Sequence, residues 1–145
     1  METLLLRLVL HGSPEYEETV ALRDEILRRP LGLRFTPEVL GAESGDMHLA
    51  CYENGALVGC LILSPGDAGT IKMRQVAVAE QLQGRGVGRA LVERSEEIAR
   101  EHGFREMVLH ARDTAVPFYE RLGYERVGEQ FQEVNLPHWK MRKSL

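Results

Sequence analysis

The stretch RQVAVAEQLQGRGVGRA, residues 74–90 of the 145-residue chain, decides the fold. A run with strong β propensity passes into a glycine-rich turn, and the turn opens a helical pattern that continues to His102. A helix start has four unpaired N–H groups and the positive end of the helix dipole, so it attracts anions. Glycine lets the backbone close on a phosphate because no Cβ intervenes. This strand–turn–helix unit therefore predicts a phosphate site in an α/β domain.

Two common phosphate-binding motifs do not fit the turn. The dinucleotide fingerprint G-x-G-x-x-G/A fails in both registers, because Arg89 or Leu91 stands where the last small residue is required. The P-loop also fails, since no Gly-Lys-Ser/Thr follows. The remaining pattern is Q-x-x-G-x-G, filled by Gln83, Gly86 and Gly88. The alternative, that the glycines only make a tight turn, is disfavoured because three of them alternate between a strand and a long helix.

The flanking sequence supplies the other elements of a mixed sheet. Ser13 and Pro14 form a helix start, and Asn54-Gly55 is the preferred turn of a two-residue hairpin. The predicted strands are 4–10, 47–53, 56–63, 70–79, 107–110, 125–134 and 139–143, and the predicted helices are 14–29, 84–102 and 114–122, with a short one after Thr36-Pro37. We expect one α/β (α+β) domain over residues 1–145, with a central mixed sheet of about six to seven strands and helices on both faces.

Composition narrows the class of protein. Hydrophobic residues make up 43% and charged residues 28%, which is typical of a globular domain, and the net charge of −4 comes without a basic stripe for nucleic acid. The apolar run at 4–10 is too short to span a bilayer, so we expect a cytoplasmic protein with no membrane partner. Cys51 and Cys60, on neighbouring predicted strands, are more typical of buried thiols than of a disulfide, and no cluster suggests a metal.

Two segments carry a resemblance to a known family. The Gln83-x-x-Gly86-x-Gly88 turn, preceded by the VAV of residues 76–78, resembles the acetyl-CoA pyrophosphate loop of the GNAT superfamily of N-acetyltransferases. The segment AVPFYERLGY, residues 115–124, resembles that family's A-x-x-F-Y-E-x-L-G-F/Y helix. The segments at 27–33, 46–48 and 136–138 further resemble an uncharacterised group of predicted small-molecule acyltransferases. The resemblance covers residues 47–143 well and the first forty more loosely.

The resemblance implies where acetyl-CoA binds. The GNAT sheet splays between its fourth and fifth strands, and pantetheine lies in the gap. The implied cofactor-binding residues are Val76, Ala77, Val78, Gln83, Gly84, Arg85, Gly86, Val87, Gly88, Arg89, Ala115 and Phe118.

The resemblance also implies catalytic roles. The backbone N–H of Val76 would polarise the thioester carbonyl, and Tyr119 would act as general acid toward the CoA sulfur. The alternative for the Phe118-Tyr119 pair is helix core. One residue departs from the family pattern: Arg112 stands seven residues before the tyrosine, where many members carry Asn or Gln.

The sequence defines the acceptor-binding residues less well than the cofactor-binding residues. An alkyl ammonium must lose a proton before it attacks, and His110, His138 and His48 are candidate bases, each with a structural alternative. Strand alternation places Gln75 or Arg74 toward the acceptor. Arg23 and Arg28 on the first helix could bind an acceptor carboxylate or phosphate, or could form a solvated face.

The predicted function is transfer of an acetyl group from acetyl-CoA to a primary amine of a small molecule, without a metal. A basic peptide tail is disfavoured as the acceptor, since only Glu15, Glu17 and Glu18 crowd together. Two alternatives are a non-catalytic acyl-CoA-binding module of the same fold and a partner-binding domain without a cofactor. The sequence is compatible with a homodimer. It does not specify the acceptor or the length of the acyl group.

Overall fold

The computed structural model of the chain describes residues 3–145. Over these residues, seven strands lie at Leu4–Val9 (β1), Met47–Glu53 (β2), Ala56–Pro65 (β3), Thr70–Val78 (β4), Glu106–Arg112 (β5), Glu125–Glu133 (β6) and Leu136–Ser144 (β7). The α-helices are Pro14–Arg23 (α1), Pro37–Gly41 (α2), Val87–Glu101 (α3) and Val116–Arg121 (α4). Short π and 3₁₀ turns extend α1 through Asp24–Arg28 and Arg29–Leu31. No helix within residues 3–145 combines the length and apolar character needed to cross a bilayer.

The strands form one mixed sheet in the order β1-β2-β3-β4-β5-β7-β6. Neighbouring strands are antiparallel except β4 and β5, which are parallel. The β4–β5 pairing runs from Thr70–Glu106 to Met73–Leu109 and then stops. Beyond that point β4 stays with β3 and β5 stays with β7, so the two strands diverge. The predicted fold class, strand number and splay between the fourth and fifth strands are confirmed.

A β-bulge lies where the splay begins. Cys60 pairs with Ala77, but Ile62 pairs with Arg74, so two steps along β3 correspond to three along β4. Gln75 in this bulge has a φ of 53°, which is uncommon for a residue other than glycine. A bulge bends its strand and increases its twist, so it turns β4 at the place where its bonds to β5 end.

Helices cover both faces of the sheet. Consecutive residues of a strand point to opposite faces, and Gly59 and Cys60 on β3 show which helix lies on each. A Cβ at Gly59 would lie 2.8 Å from Leu91 Cδ1 of α3, whereas Cys60 Sγ lies 3.9 Å from the Thr19 carbonyl oxygen of α1. The core therefore has two layers, and Cys60 and Cys51 are buried free thiols within it, as predicted.

The first helix ends earlier than predicted. The α-helical part stops at Arg23, and a wider π turn follows through Arg28. Pro30 lacks an N–H, and its ring would collide with the carbonyl of Ile26 in a regular helix. The turn widens instead, and the Arg29 N–H donates to Asp24 O five residues back.

Two other boundaries also differ from the prediction. The helix expected from residue 84 begins at Val87, because Gly84 and Gly86 both have positive φ. The last strand begins at Leu136 and not at residue 139. The hairpin turn is formed by Val134 and Asn135, whose φ angles of 46° and 62° suit a tight turn between twisted strands.

Candidate functional site

Two cavities meet at the splay between β4 and β5. The larger has a volume of about 640 Å³ and the smaller about 490 Å³. Five residues line both cavities: Ile26, Val76, Gln83, Ala115 and Tyr119. The divergence of β4 from β5 therefore creates one continuous site with two compartments.

The smaller cavity contains the start of α3. Gly86 precedes this helix with a φ of 89°, and the first intrahelical bond runs from the Ala90 N–H to the Gly86 carbonyl oxygen. The N–H groups of Val87, Gly88 and Arg89 come before that bond and are not used by the helix. Together with the Arg89 side chain, which lines the cavity, they form a site with the geometry and charge for a phosphate.

Two contacts fix the glycine turn against its neighbours. Gln83 Nε2 donates to the Val78 carbonyl oxygen at 3.1 Å, which ties the turn to the end of β4. Gly88 lies against Phe118 of α4, because a Cβ there would be 3.3 Å from the ring. The turn, β4 and α4 thus come together around one cavity.

The structure brings most of the expected cofactor-binding residues to the smaller cavity, but not all of them. Those that line it are Val76, Val78, Gln83, Gly84, Gly86, Gly88, Arg89, Ala115 and Phe118. Ala77 and Val87 are buried in the core, since strand and helix periodicity turn their side chains inward. Arg85 is exposed, and its N–H donates to Leu82 O at 3.3 Å, so that amide is already bonded.

Tyr119 lies between the two cavities. Its side chain is 8% exposed, and rings of Phe118 and Tyr124 meet it edge to face. Burial raises the pKa of Tyr119 to about 12. Its hydroxyl forms no hydrogen bond with any residue in the described range 3–145. The phenol therefore stays protonated at neutral pH, with a free donor at the junction of the site.

The larger cavity is lined by charged side chains from both diverging strands. Alternation places Lys72 and Arg74 of β4 on one side of the splay and His110 and Arg112 of β5 on the other. Burial, with the charges of Arg74 and Lys140, lowers the pKa of Lys72 against the opposing effect of Glu133. Gln75 also lines this cavity, from the bulge.

A glutamate joins two of the candidate bases. Glu133 Oε1 lies 3.0 Å from His110 Nδ1, and Glu133 Oε2 lies 3.6 Å from His138 Nε2. His110 Nδ1 is also 3.4 Å from Lys72 Nζ, so this nitrogen can donate to Glu133 or accept from Lys72, but not both at once. His138 Nδ1 lies 2.9 Å from Leu136 O, to which it donates as an N–H. Both histidines line the larger cavity, and the Glu133 carboxylate lies beside each of them.

Sequence reasoning missed Glu133 and Lys72. Lys72 could have been found by alternation, since it stands two residues before Arg74 on the same strand. Glu133 was missed because the predicted strands 125–134 and 139–143 place the hairpin turn after residue 134, whereas the observed turn is at Val134 and Asn135. With the observed turn, the β6–β7 register sets Phe131 opposite His138, two residues from Glu133.

Arg23 does not line either cavity. Its guanidinium is fully buried and binds Glu43 through two hydrogen bonds of 2.9 Å. Arg23 Nη1 also donates to Gln75 Oε1 at 3.0 Å, and the Tyr16 hydroxyl donates to Glu43 at 2.8 Å. Neither alternative given for Arg23, an acceptor-binding group or a solvated face, fits this position, because a carboxylate on the segment between α2 and β2 holds the charge inside. Arg23 contacts the site only through Gln75.

His48 is buried as well. Its Nε2 lies 3.0 Å from Glu43 O, and the ring lines neither cavity. Burial lowers the pKa of His48 below its usual value, with the charge of Arg23 acting in the same direction against the pull of Glu43. His48 is therefore not placed to act as the candidate base, and its side chain belongs to the buried network around Glu43.

Metal-binding geometry is not found in the described part of the chain. Among residues 3–145, no group of three or more His, Cys, Asp and Glu side chains is placed to hold a metal ion.

Comparison with known proteins agrees with this geometry. The N-acetyltransferase YjcF of Bacillus subtilis, itself uncharacterised, is 24% identical over 136 residues, which cover 93% of this chain and 96% of YjcF. An acyl-CoA N-acyltransferase from Pseudomonas aeruginosa is similar in structure, with a TM-score of 0.83, 24% identity, and 97% and 99% of the two chains covered. A GNAT family acetyltransferase from Elizabethkingia anophelis with acetyl-CoA bound has a TM-score of 0.75 at 17% identity, with 98% of each chain covered. At these identities the structural likeness establishes the fold.

A family model assigns the chain. The model of the acetyltransferase (GNAT) domain matches residues 32–145. This range includes the glycine turn, the diverging strands β4 and β5, and Tyr119. This match confirms the resemblance that the glycine turn and the tyrosine helix carry. The chain therefore belongs to the GNAT family of acetyltransferases.

Proposed function

We propose that this protein is an acyl-CoA-dependent N-acetyltransferase that transfers an acetyl group from acetyl-CoA to a primary amine of a small molecule. The observation that carries the proposal is the position of Tyr119, a protonated and unpaired phenol where two cavities meet at the splay. A donor at that junction suits a leaving group that arrives from the smaller cavity and an attacking group that arrives from the larger one.

The smaller cavity would hold the cofactor. The free N–H groups at the start of α3 and the Arg89 guanidinium suit the pyrophosphate. Pantetheine would lie in the splay, where β4 beyond Met73 no longer pairs with β5. The edge groups of Val76 and Val78 could then bind its amides as an added strand would.

The reaction would proceed by direct attack on the thioester. The amine nitrogen forms a C–N bond to the carbonyl carbon, and the Val76 N–H donates to the oxyanion of the tetrahedral intermediate. The intermediate collapses by breaking the C–S bond. The proton released from nitrogen passes through a base and returns to the thiolate, so a free amine and acetyl-CoA give an N-acetyl amine and CoA thiol.

Tyr119 would stabilise the departing thiolate. A phenol with a pKa of about 12 gives up its proton to a thiolate of pKa about 8.5 only at a cost of roughly 5 kcal/mol. Donation of a hydrogen bond avoids that cost and still favours charge on the sulfur. The role expected from the sequence, general acid, is therefore refined to that of a hydrogen-bond donor.

His110 would accept the proton of the amine. An alkyl ammonium of pKa near 10.4 loses its proton at pH 7 at a cost of roughly 4–5 kcal/mol, so a nearby base is useful. When His110 Nδ1 donates to Glu133, its Nε2 is left as the basic nitrogen. His138 is the second candidate, through its contact with the same carboxylate.

The test combines cofactor binding with turnover. Acetyl-CoA should bind in calorimetry and raise the melting temperature, and a panel of amines should release free thiol. Tyr119→Phe should keep acetyl-CoA affinity and lower turnover about 10²–10⁴-fold. The fold should tolerate this change, because the lost hydroxyl leaves no protein partner unpaired. Tyr52→Phe, which removes a hydroxyl bonded to Glu18 at 3.2 Å outside the site, is the matched control.

Three results would count against the proposal in different ways. Binding without thiol release from any amine would indicate a non-catalytic acyl-CoA-binding module. No binding of acetyl-CoA would indicate a domain that uses this fold without a cofactor. Near wild-type turnover in Tyr119→Phe would mean that this tyrosine is a packing residue of the core and has no catalytic role.

A further inference from the structure

The larger cavity has a charge opposite to that of the whole protein. The chain carries a net charge of −4. The cavity is nevertheless lined by four cations, Arg28, Lys72, Arg74 and Arg112, and by one carboxylate, Glu133. A local excess of one sign in a concave, partly apolar site raises the concentration of ligands of the opposite sign.

Three of these cations, Arg28, Lys72 and Arg112, form no ion pair with a carboxylate of the described residues. Arg74 lies 3.6 Å from Asp46 and donates to Ser64, so its charge is partly compensated. Arg28 and Arg112, by contrast, form no ion pair with any residue from 3 to 145. Arg28 is instead held by stacking, with its guanidinium carbon 4.7 Å from the Phe35 ring centre. A guanidinium fixed in this way keeps its donors free for a planar anion.

A simple amine is a poor ligand for such a cavity. A protonated amine is itself a cation, and four cations against one carboxylate would repel it. An acceptor that also carries an anionic group is attracted at one end and can place its amine beside Glu133 and His110. The distance between the anionic group and the amine would then fix the orientation in which the acceptor enters the cavity.

From this charge distribution we propose that the acceptor is an amine bearing a carboxylate or phosphate, whose anionic group binds Arg28 and Arg112 in the larger cavity. This inference rests on the proposed function and narrows its substrate class. Carboxylate and phosphate share the chemistry that recognises them, bidentate acceptance from guanidinium groups.

The arginines are separate from the expected cofactor site. Arg28 and Arg112 line the larger cavity and not the smaller one, in which Arg89 is the cation among the described lining residues. Their substitution should therefore act on the acceptor and not on acetyl-CoA.

The experiment compares amines in matched pairs that differ only in the anionic group. The pairs are 3-aminopropanoate with its carboxamide, 2-aminoethyl phosphate with ethanolamine, and phenylalanine with its carboxamide. Binding to the CoA-saturated protein is measured by calorimetry, and kcat/KM is measured by thiol release. At least one member with the anionic group should exceed its partner without that group at least tenfold in both measurements. The first two pairs distinguish a carboxylate from a phosphate.

Variants connect the preference to the residues. Arg112→Gln and Arg28→Gln should each reduce the ratio of kcat/KM for the anionic acceptor to kcat/KM for its partner without the anionic group at least fivefold, mainly through KM. Arg105→Gln, an exposed arginine outside the cavity, should retain the wild-type ratio. Acetyl-CoA affinity reports whether each variant is folded.

The outcomes separate this inference from the proposed function. A lack of thiol release from every amine, with preferential binding of the anionic members, would refute the proposed activity and support the anion site. Efficient turnover of amines that lack an anionic group, with no preference for their anionic partners, would support the activity and overturn the inference. Equal binding within every pair, or a preference that survives both arginine substitutions, would also overturn it.

Discussion

Replacement of Glu43 by Gln should destabilise the folded protein more than the same replacement of an exposed glutamate. Glu43 is 2% exposed, and the Arg23 guanidinium that it binds is also fully buried. The substitution preserves the shape of the side chain and removes its charge. Arg23 is then left as an uncompensated cation in the core.

The expected loss follows from the burial of both partners. Breaking a buried ion pair by removing one charge costs about 3–5 kcal/mol, whereas an exposed pair contributes about 0–1 kcal/mol. Against a total stability of about 5–15 kcal/mol this is a large fraction. For a domain near this size, the change corresponds to a fall in melting temperature of roughly 6–20 °C.

The pair should also make stability depend on pH. Burial raises the pKa of Glu43, but hydrogen bonds from Arg23 and Tyr16 and the charge of Arg23 outweigh it and lower the pKa below its usual value. A depressed pKa in the folded state stabilises the protein above the unfolded value, about 4.3, and this contribution is lost as the pH falls through the folded pKa. Glu43→Gln should remove that part of the acid dependence.

Thermal and urea denaturation monitored by circular dichroism would measure the loss. Glu93→Gln is the matched control, because Glu93 pairs with Arg89 at 3.3 Å with both side chains more than half exposed. Removing both buried charges in the variant Arg23→Met with Glu43→Met should recover much of the loss. A loss for Glu43→Gln no larger than that of Glu93→Gln would refute the reasoning.

Two further predictions concern the site. Gly86→Ala and Gly103→Ala both place a side chain at positive φ in open space, so each should cost about 1–2 kcal/mol of stability, but calorimetry should show loss of acetyl-CoA affinity only for Gly86→Ala. Equal affinity in the two variants would contradict a phosphate site at the start of α3. His110→Asn should lower kcat/KM about 10²–10⁴-fold, because it removes the candidate base, while His102→Asn, at the end of α3, should keep the wild-type value. An unchanged kcat/KM for His110→Asn would mean that the amine arrives deprotonated or uses another base.

Local sequence was sufficient for the parts of the fold that depend on nearby residues. The Asn54-Gly55 hairpin, the glycine turn before α3 and the position of Tyr119 on α4 all follow from signals within a few residues. The splay came from the family resemblance and is confirmed by the end of β4–β5 pairing after Met73. Local patterns could not have located it, because pairing between β4 and β5 spans an intervening helix.

Long-range contacts set the limits of the sequence reasoning. Arg23 and Glu43 are 20 residues apart, and nothing in either local pattern indicates that they meet. A helical arginine is exposed in most contexts, so only the tertiary structure reveals this one as buried. The same holds for Gln75, whose φ of 53° arises from a register shift between β3 and β4 and not from its residue type.

The buried ion pair and the splay are parts of one arrangement. Gln75 occupies the bulge that turns β4 away from β5, and its side-chain oxygen accepts a hydrogen bond from Arg23 at 3.0 Å. A non-glycine residue at positive φ costs free energy and persists only when its surroundings hold it. Glu43 fixes Arg23, Arg23 fixes Gln75, and the bulge sets the direction of the next residue, Val76. We expect this chain of contacts to orient the Val76 N–H that is proposed to bind the oxyanion, at the cost of desolvating the ion pair.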